Sequence, residues 1–184
     1  VIGYHVTVDQ LPLCSAVGVN VVQSPDTANT ATLRAYLDTA AANGLKVLVR
    51  LYNGMKPAGN AANAANTTNL VTTFKDHPAG YGWMIMDEPY LRAIKGVHED
   101  LVNSYKIIRD IDPVHPTYMT ENFKYYYEDT GKCTDILAID PYPLPGSTVA
   151  KITDLVGQAD IPICPPWMKY GIWLTGQSGT GPKV

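Results

Sequence analysis

The chain has 184 residues, 46% of them hydrophobic and 17% charged, which is enough for one globular core and too little for two comfortable domains. Lys and Arg total 14 against 17 Asp and Glu, and the resulting net charge of -3 offers no basic field to hold a phosphate backbone, which speaks against nucleic acid as a partner. No apolar run approaches the roughly 18 residues of a membrane span, and Val1-Ile2-Gly3-Tyr4 lacks the charged start of a signal peptide.

In chain order, strand-like apolar runs alternate with segments of helical periodicity, the pattern of βα units around a parallel sheet. Strands are predicted at residues 1–6, 19–23, 46–52, 81–87, 116–121, 135–140 and 161–164. The first run begins without Met and inside a strand, which predicts that further sequence precedes Val1. The helix after it is weakly marked. Leu33, Tyr36, Leu37 and Ala40 share one face of the next helix, which Asn43-Gly44 should stop. The stretch from Pro57 to Asn69, rich in Ala, Asn and Gly, predicts a long loop leading into a third helix. Val97, Leu101, Tyr105, Ile108 and Ile111 form one apolar stripe, with Glu99, Asp100, Lys106 and Arg109 mostly outside it, and predict an amphipathic helix covering a sheet. The segment from Phe123 to Tyr127 is short and aromatic. Val149, Ile152, Leu155 and Val156 mark a last helix, with Ser147 or Thr148 placed to cap it.

Seven such units, with no Gly-rich phosphate loop after the first strand, predict a single α/β domain over residues 1–184. The expected fold is a (β/α)8 TIM barrel, incomplete or truncated toward its C-terminal end, and a flavodoxin-like or Rossmann-like sheet is the alternative. A complete barrel of this type takes about 250 residues. The shortage falls in the tail from Tyr170 to Val184, whose one apolar patch is Ile172-Trp173-Leu174.

The aromatic residues comprise 12 Tyr, 3 Trp and 2 Phe beside abundant Asn, Thr and Ala, a balance common in secreted proteins that handle polar ligands. Cys14, Cys133 and Cys164 are too far apart for a zinc or iron-sulfur spacing and allow one disulfide with one thiol left over. Asn66-Thr67-Thr68 is a glycosylation sequon. These features lean toward an extracellular protein.

In a barrel, residues just past the C-terminal end of each strand share one mouth, so chemistry should be sought there. Those positions are His5 and Asp9, Gln23 and Ser24, Arg50, Tyr52 and Asn53, Asp87-Glu88-Pro89, Thr120-Glu121-Asn122, Asp140-Pro141-Tyr142-Pro143, and Pro165-Pro166-Trp167. The glutamates of the chain are Glu88, Glu99, Glu121 and Glu128, and Glu88 and Glu121 each follow a predicted strand. Cleavage of a glycosidic bond needs one carboxyl that protonates the leaving oxygen and another that attacks the anomeric carbon or activates water. Glu88, Glu121 and Asp140, on neighbouring strand ends, are the catalytic candidates. Asp87, Arg50 and Gln23 are candidates for binding substrate hydroxyls, and Tyr52, Tyr142 and Trp167 for presenting flat faces to sugar rings. Plainer readings stand beside these: Asp87 as a helix cap, Asp140 as a turn residue before Pro, Glu121 opening a short helix, Arg50 partly buried against a carboxylate, Trp83 in the core. The histidines are scattered without metal-ligand spacing, so neither a metal nor any other cofactor is expected. His77 and His115, each before a Pro, should shape the approach to a strand.

The run Asp76-His77-Pro78-Ala79-Gly80-Tyr81-Gly82-Trp83-Met84-Ile85-Met86-Asp87-Glu88-Pro89, followed by Asp112-Pro113, His115-Pro116 and Asp140-Pro141-Tyr142-Pro143, resembles TIM-barrel glycoside hydrolases over roughly residues 19–165. The resemblance is to the clan whose catalytic acid follows strand four, and it implies that role for Glu88, with Asp87 where that clan usually has Asn. The clan's nucleophile is a Glu after strand seven. Here that place holds Cys164-Pro165-Pro166-Trp167, a departure that speaks against a standard retaining mechanism. The resemblance implies a glycoside hydrolase-like protein that cleaves O-glycosidic bonds by carboxylate acid/base catalysis and takes carbohydrate as its partner. The competing expectation is a catalytically inactive carbohydrate-binding or structural assembly protein on the same barrel.

Overall fold

The computed structural model describes residues 2–53, 56–91, 95–139 and 169–172. Short apolar and β-branched runs form the strands β1 (Ile2–Gly3), β2 (Val21–Gln23), β3 (Lys46–Arg50), β4 (Gly80–Asp87), β5 (Thr117–Glu121), β6 (Ile136–Ile139) and β7 (Lys169–Ile172). Between them lie α1 (Leu11–Ala16), α2 (Thr30–Ala42), α3 (Ala64–Phe74), α4 (Val97–Ile111) and α5 (Tyr127–Gly131). Every neighbouring pair is parallel, and the strands stand in the sheet in sequence order from β1 to β7. An order without reversal is not that of a doubly wound sheet. It is the order of a partial TIM barrel.

The periodic helices bury the faces that their spacing marked. In α2, Asn29 Oδ1 accepts the Ala31 and Thr32 amides at 2.9 and 3.1 Å, and Leu33, Tyr36, Leu37 and Ala40 are buried. Gly44, at φ +69°, turns the chain out of the helix where a Cβ would be strained. In α4, Val97, Leu101 and Ile108 are buried, and Tyr105 and Ile111 pack against the same core. The predicted helix around Val149–Val156 lies outside the described residues.

Three elements differ from the sequence-based expectation. β1 has two residues rather than six, because the chain leaves the sheet at Tyr4 and turns at His5, whose φ is +51°. α3 starts at Ala64, inside the predicted loop. Its alanines favour helix, and Thr67 ties its first turns to the loop by donating to the Ala58 carbonyl at 2.7 Å. That loop lies directly on α4, since a Cβ on Gly59 would meet the Ser104 nitrogen at 2.2 Å. Finally, the strand bonded to β6 is Lys169–Ile172, which reaches into the tail, while residues 161–164 lie outside the described residues.

Cys14 and Cys133 are free thiols. Cys133 is buried, and burial pushes its thiol up to about 11, so it rests protonated. Cys164 lies outside the described residues. Among those residues, no helix is long and apolar enough to cross a membrane.

At the N-terminal end of β4 and β5 a buried carboxylate joins strand to helix. Asp112, just past α4, accepts the Trp83 indole N–H at 2.8 Å, the His115 Nδ1 at 2.8 Å, and the Val114 and His115 amides at 3.0 and 3.1 Å. Burial works against its charge, but the bonds from His115, Trp83 and Val114 outweigh it and hold the carboxyl below the usual range. His77 plays a similar shaping role: its Nδ1 accepts the Ala79 amide, and its Nε2 meets Asp38 at 3.0 Å.

Asp112→Asn should therefore lower stability by about 1–3 kcal/mol at pH 7 by setting an amide N–H against donors. Because the folded-state pKa lies below the unfolded one of roughly 4, the carboxylate's stabilisation is complete above that value and is lost as pH falls through the folded value. Urea denaturation at neutral and acid pH should show the gap between wild type and variant closing in acid. A gap that stays constant would contradict the assignment.

Candidate active site

The placement of the mouth residues follows from one irregularity in β4. Met84 pairs with Tyr118 and Asp87 pairs with Thr120, so three steps along β4 match two along β5, with the shift between Met84 and Met86. Side chains alternate along a regular strand, and strict alternation would send Met84 and Asp87 to opposite faces. The extra residue restores them to one face. Met84 and Thr120 line a small cavity inside the sheet's concave side, together with Tyr4, Gln23, Leu48 and Tyr118. Asp87 Oδ1 accepts from Thr120 Oγ1, and its Oδ2 accepts from the Tyr4 hydroxyl at 2.7 Å. Trp83, one residue before Met84, points the other way, to Asp112 in the helix layer.

Asp87 is not a helix cap; α4 begins ten residues later behind Gly96. It is a carboxylate held by a tyrosine from the end of β1 and a threonine from β5. Burial, and then the Asp87 charge, push the Tyr4 phenol far above its ordinary value, and the same two causes act on Tyr52. Both phenols are therefore donors at any working pH.

Glu88 follows at the tip of the strand. Its amide donates to the Thr120 carbonyl at 3.2 Å and to Thr120 Oγ1 at 3.3 Å, and its side chain is 9% exposed. Its φ is +45°, a left-handed conformation that costs a non-glycine residue about 1 kcal/mol or more. Among the described residues, the other non-glycine with positive φ is His5, at the end of β1. Backbone strain thus sits at the mouth, where such strain is commonly stored for function.

Arg50, at the end of β3, lies 3.6 Å from Asp26 and stacks its guanidinium 4.1 Å from the Tyr52 ring centre. Its Nε is buried with no hydrogen-bond partner. Gln23, at the end of β2, is buried against Met84, with Nε2 2.6 Å from the sulfur. The structure thus brings Glu88, Asp87, Arg50, Tyr52 and Gln23 to one edge. Asp140, Tyr142 and Trp167 lie outside the described residues.

Glu121 is placed differently. It is 0% exposed, and Oε1 accepts the Asn122 and Phe123 amides at 3.1 and 3.0 Å while Oε2 accepts from Thr130 at 3.3 Å. A bond from the Tyr90 backbone adds to these, yet burial outweighs them all and raises the carboxyl above its ordinary value. Its oxygens face the chain that follows β5.

Sequence reasoning passed over Tyr4, placed Thr120 at a strand end without giving it a role, and noted the aromatic run from Phe123 to Tyr127 without assigning it to the site. The signal for Tyr4 was its place at a strand end, hidden because the first strand was expected to continue past it. Tyr90, two residues after Glu88, stacks on Tyr126 at 4.1 Å with the planes 8° apart, and Phe123 meets Tyr126 edge-on at 6.4 Å. Among the described residues, no group of three His, Cys, Asp or Glu side chains is arranged to hold a metal ion.

No family model matches the sequence, and no curated protein matches it. Solved structures do. The chain is similar to an endo-1,4-beta-mannanase from Eisenia fetida at 15% identity, covering 76% of this chain and 61% of that one, with a TM-score of 0.57. It is similar to a GH2 beta-galacturonidase from Eisenbergiella tayi at 17% identity, covering 81% and 28%, with a TM-score of 0.62. A beta-glucuronidase from Bacteroides uniformis matches at 11% identity, covering 92% and 23%, with a TM-score of 0.61. The chain spans less than two thirds of each of these proteins. The likeness is one of fold: the parallel sheet is of the TIM-barrel-like kind that these glycoside hydrolases carry.

Glu121→Ala should cost about 2–4 kcal/mol, since it leaves the Asn122 and Phe123 amides without an acceptor. Glu121→Gln keeps one acceptor and does not titrate. A carboxyl whose folded pKa is raised gives its full stabilisation below the unfolded value and loses it as pH rises through the folded value. The cost of Glu121→Gln, followed by denaturant titration, should accordingly be larger near pH 4 than at pH 7; the reverse trend would contradict the burial-dominated shift.

Proposed function

We propose that this chain is the barrel portion of a glycoside hydrolase-like protein in which Glu88 acts as the general acid/base on an O-glycosidic bond. The observation that carries this reading is the strained, largely buried Glu88 at the C-terminal tip of β4, beside the clamped Asp87, on a sheet of the kind found in glycoside hydrolases. A carboxyl at a strand tip is placed to deliver a proton to a leaving oxygen. Asp87, fixed by Tyr4 and Thr120, serves to accept hydrogen bonds from sugar hydroxyls, with the Arg50 guanidinium held on the Tyr52 ring. Tyr52 and Gln23 line the same edge.

The second carboxylate of the reaction is assigned to Asp140, which follows β6 in the sequence and lies outside the described residues. Glu121, sequestered by its own loop, is given an anchoring role instead. With no glutamate in the segment after the expected seventh strand, a water activated by the second carboxylate fits better than a covalent intermediate. The low-charge, Tyr-rich composition supports a secreted location.

Aryl mannosides, galactosides, glucuronides and galacturonides provide the assay. Glu88→Gln should reduce turnover of whichever is cleaved by about 10²- to 10⁴-fold with an unchanged melting temperature. Retained turnover would remove Glu88 from the mechanism. If the wild-type chain cleaves none of them yet binds sugar, the inactive carbohydrate-binding reading replaces the hydrolase.

A further inference from the structure

The rings beyond Glu88 form a surface that the acid/base chemistry leaves unused. β4 and β5 are parallel neighbours with Asp87 opposite Thr120, so the segments that follow them leave the sheet side by side. The first carries Tyr90. The second carries Phe123, Tyr125 and Tyr126, which are 40%, 80% and 37% exposed. Tyr90 and Tyr126 are stacked, Phe123 stands edge-on to Tyr126, and Lys124 places its ammonium 5.4 Å from the Tyr125 ring. Large aromatic side chains exposed together on a soluble surface mark a place where something binds.

The surface is also held in place. Glu121 accepts the Phe123 amide, which fixes the start of the ring-bearing segment to the end of β5. On the other segment, the Tyr90 hydroxyl meets His98 Nδ1 at 3.1 Å. Rings positioned in advance lose little freedom when a ligand arrives. This gives the buried Glu121 a purpose: its carboxylate ties the ring-bearing segment to the end of β5, and the Tyr90–Tyr126 stack joins that segment to the one after β4.

We propose that Phe123, Tyr125 and Tyr126, backed by Tyr90, form a stacking platform for a sugar ring beyond the one at Glu88, so that the ligand is a chain of sugars rather than a single unit. A pyranose offers an apolar face of C–H bonds and a rim of hydroxyls. Tyrosine matches both, with a flat electron-rich face and a hydrogen-bonding edge. Tyr90, which stacks on Tyr126, follows Glu88 by two residues in the chain, so the rings stand at the same end of the sheet as Asp87 and Glu88. The inference rests on the carbohydrate reading of that edge and not on its catalytic competence.

Calorimetric titration of the Glu88→Gln chain with mannohexaose and cellohexaose, each against its monosaccharide, tests it. One hexasaccharide should bind at least about tenfold more tightly than its monosaccharide, and Tyr125→Ala and Phe123→Ala should each weaken that binding by about three- to tenfold. Val114→Ala, a change at an exposed residue at the other end of β5, should leave it unaltered. Melting curves confirm that each variant is folded. Affinity independent of chain length, or unaffected by the ring substitutions, overturns the platform even if aryl glycosides are cleaved. Length-dependent binding that needs the rings upholds it even if the wild-type chain cleaves nothing. A dimer in sedimentation that Tyr125→Ala dissociates, without length-dependent sugar binding, would assign the rings to self-association and also overturn it.

Discussion

The lateral pairing of β4 with β5 positions almost everything at the mouth, and it is secured at both ends by contacts that tolerate little change. At the start, a Cβ on Gly82 would lie 2.5 Å from the Pro116 carbonyl oxygen, the same oxygen that accepts the Trp83 amide at 2.9 Å. Only glycine allows the strands so close. The Trp83 indole then anchors to Asp112, which fixes β4 against the end of α4. At the far end, Thr120 holds two successive residues at once: its hydroxyl donates to the Asp87 carboxylate, and its carbonyl and hydroxyl receive the Glu88 amide. Between these ends sits the extra residue that turns Asp87 inward. Its cost to the sheet is lessened because the Ile85 carbonyl accepts the Ala58 amide from the loop after β3, at 3.3 Å.

Three carboxylates within two strand ends have three different environments, and environment rather than residue type divides their roles. Asp87 is partly exposed and bonded by two hydroxyls, so it remains an acceptor aimed at the mouth. Glu88 is strained and nearly covered. Glu121 is fully covered, with its oxygens turned toward amides of its own chain. Position after a strand selected all of them, yet burial and bonding direction separate Asp87, held by hydroxyls from the end of β1 and from β5, from Glu121, which braces a loop. The aromatic segment after β5, braced in this way, lies beyond the ends of β4 and β5.

Much of the architecture is legible in the one-dimensional pattern. The apolar spacing in α2 and α4 marked the faces that are buried, because a helix must turn one stripe to the sheet. The strand ends at Gln23, Asp87 and Glu121 were readable from the length of the apolar runs, whereas β3 stops at Arg50, two residues before its expected end. Less legible were the short β1 and the early start of α3. A two-residue strand is set by its neighbour's pairing, and the Ala-rich approach to α3 folds through a tertiary bond from Thr67 to Ala58. Tyr4 escaped notice for the first of these reasons, and the Tyr90–Tyr126 stack because its partners are far apart in sequence.

The sequence by itself determined a parallel α/β domain with carboxylates concentrated at strand ends, because strand and helix periodicities are local and the order of alternating units leaves few topologies open. It could not determine which way those carboxylates face. A single added residue in a strand reverses every side chain beyond it, and whether it is absorbed as a bulge depends on the neighbouring strand and the loop that caps its carbonyl. The tertiary structure alone decided that Asp87 turns inward to Tyr4 and Thr120 while Glu121, at the end of the adjoining strand, turns back into its loop.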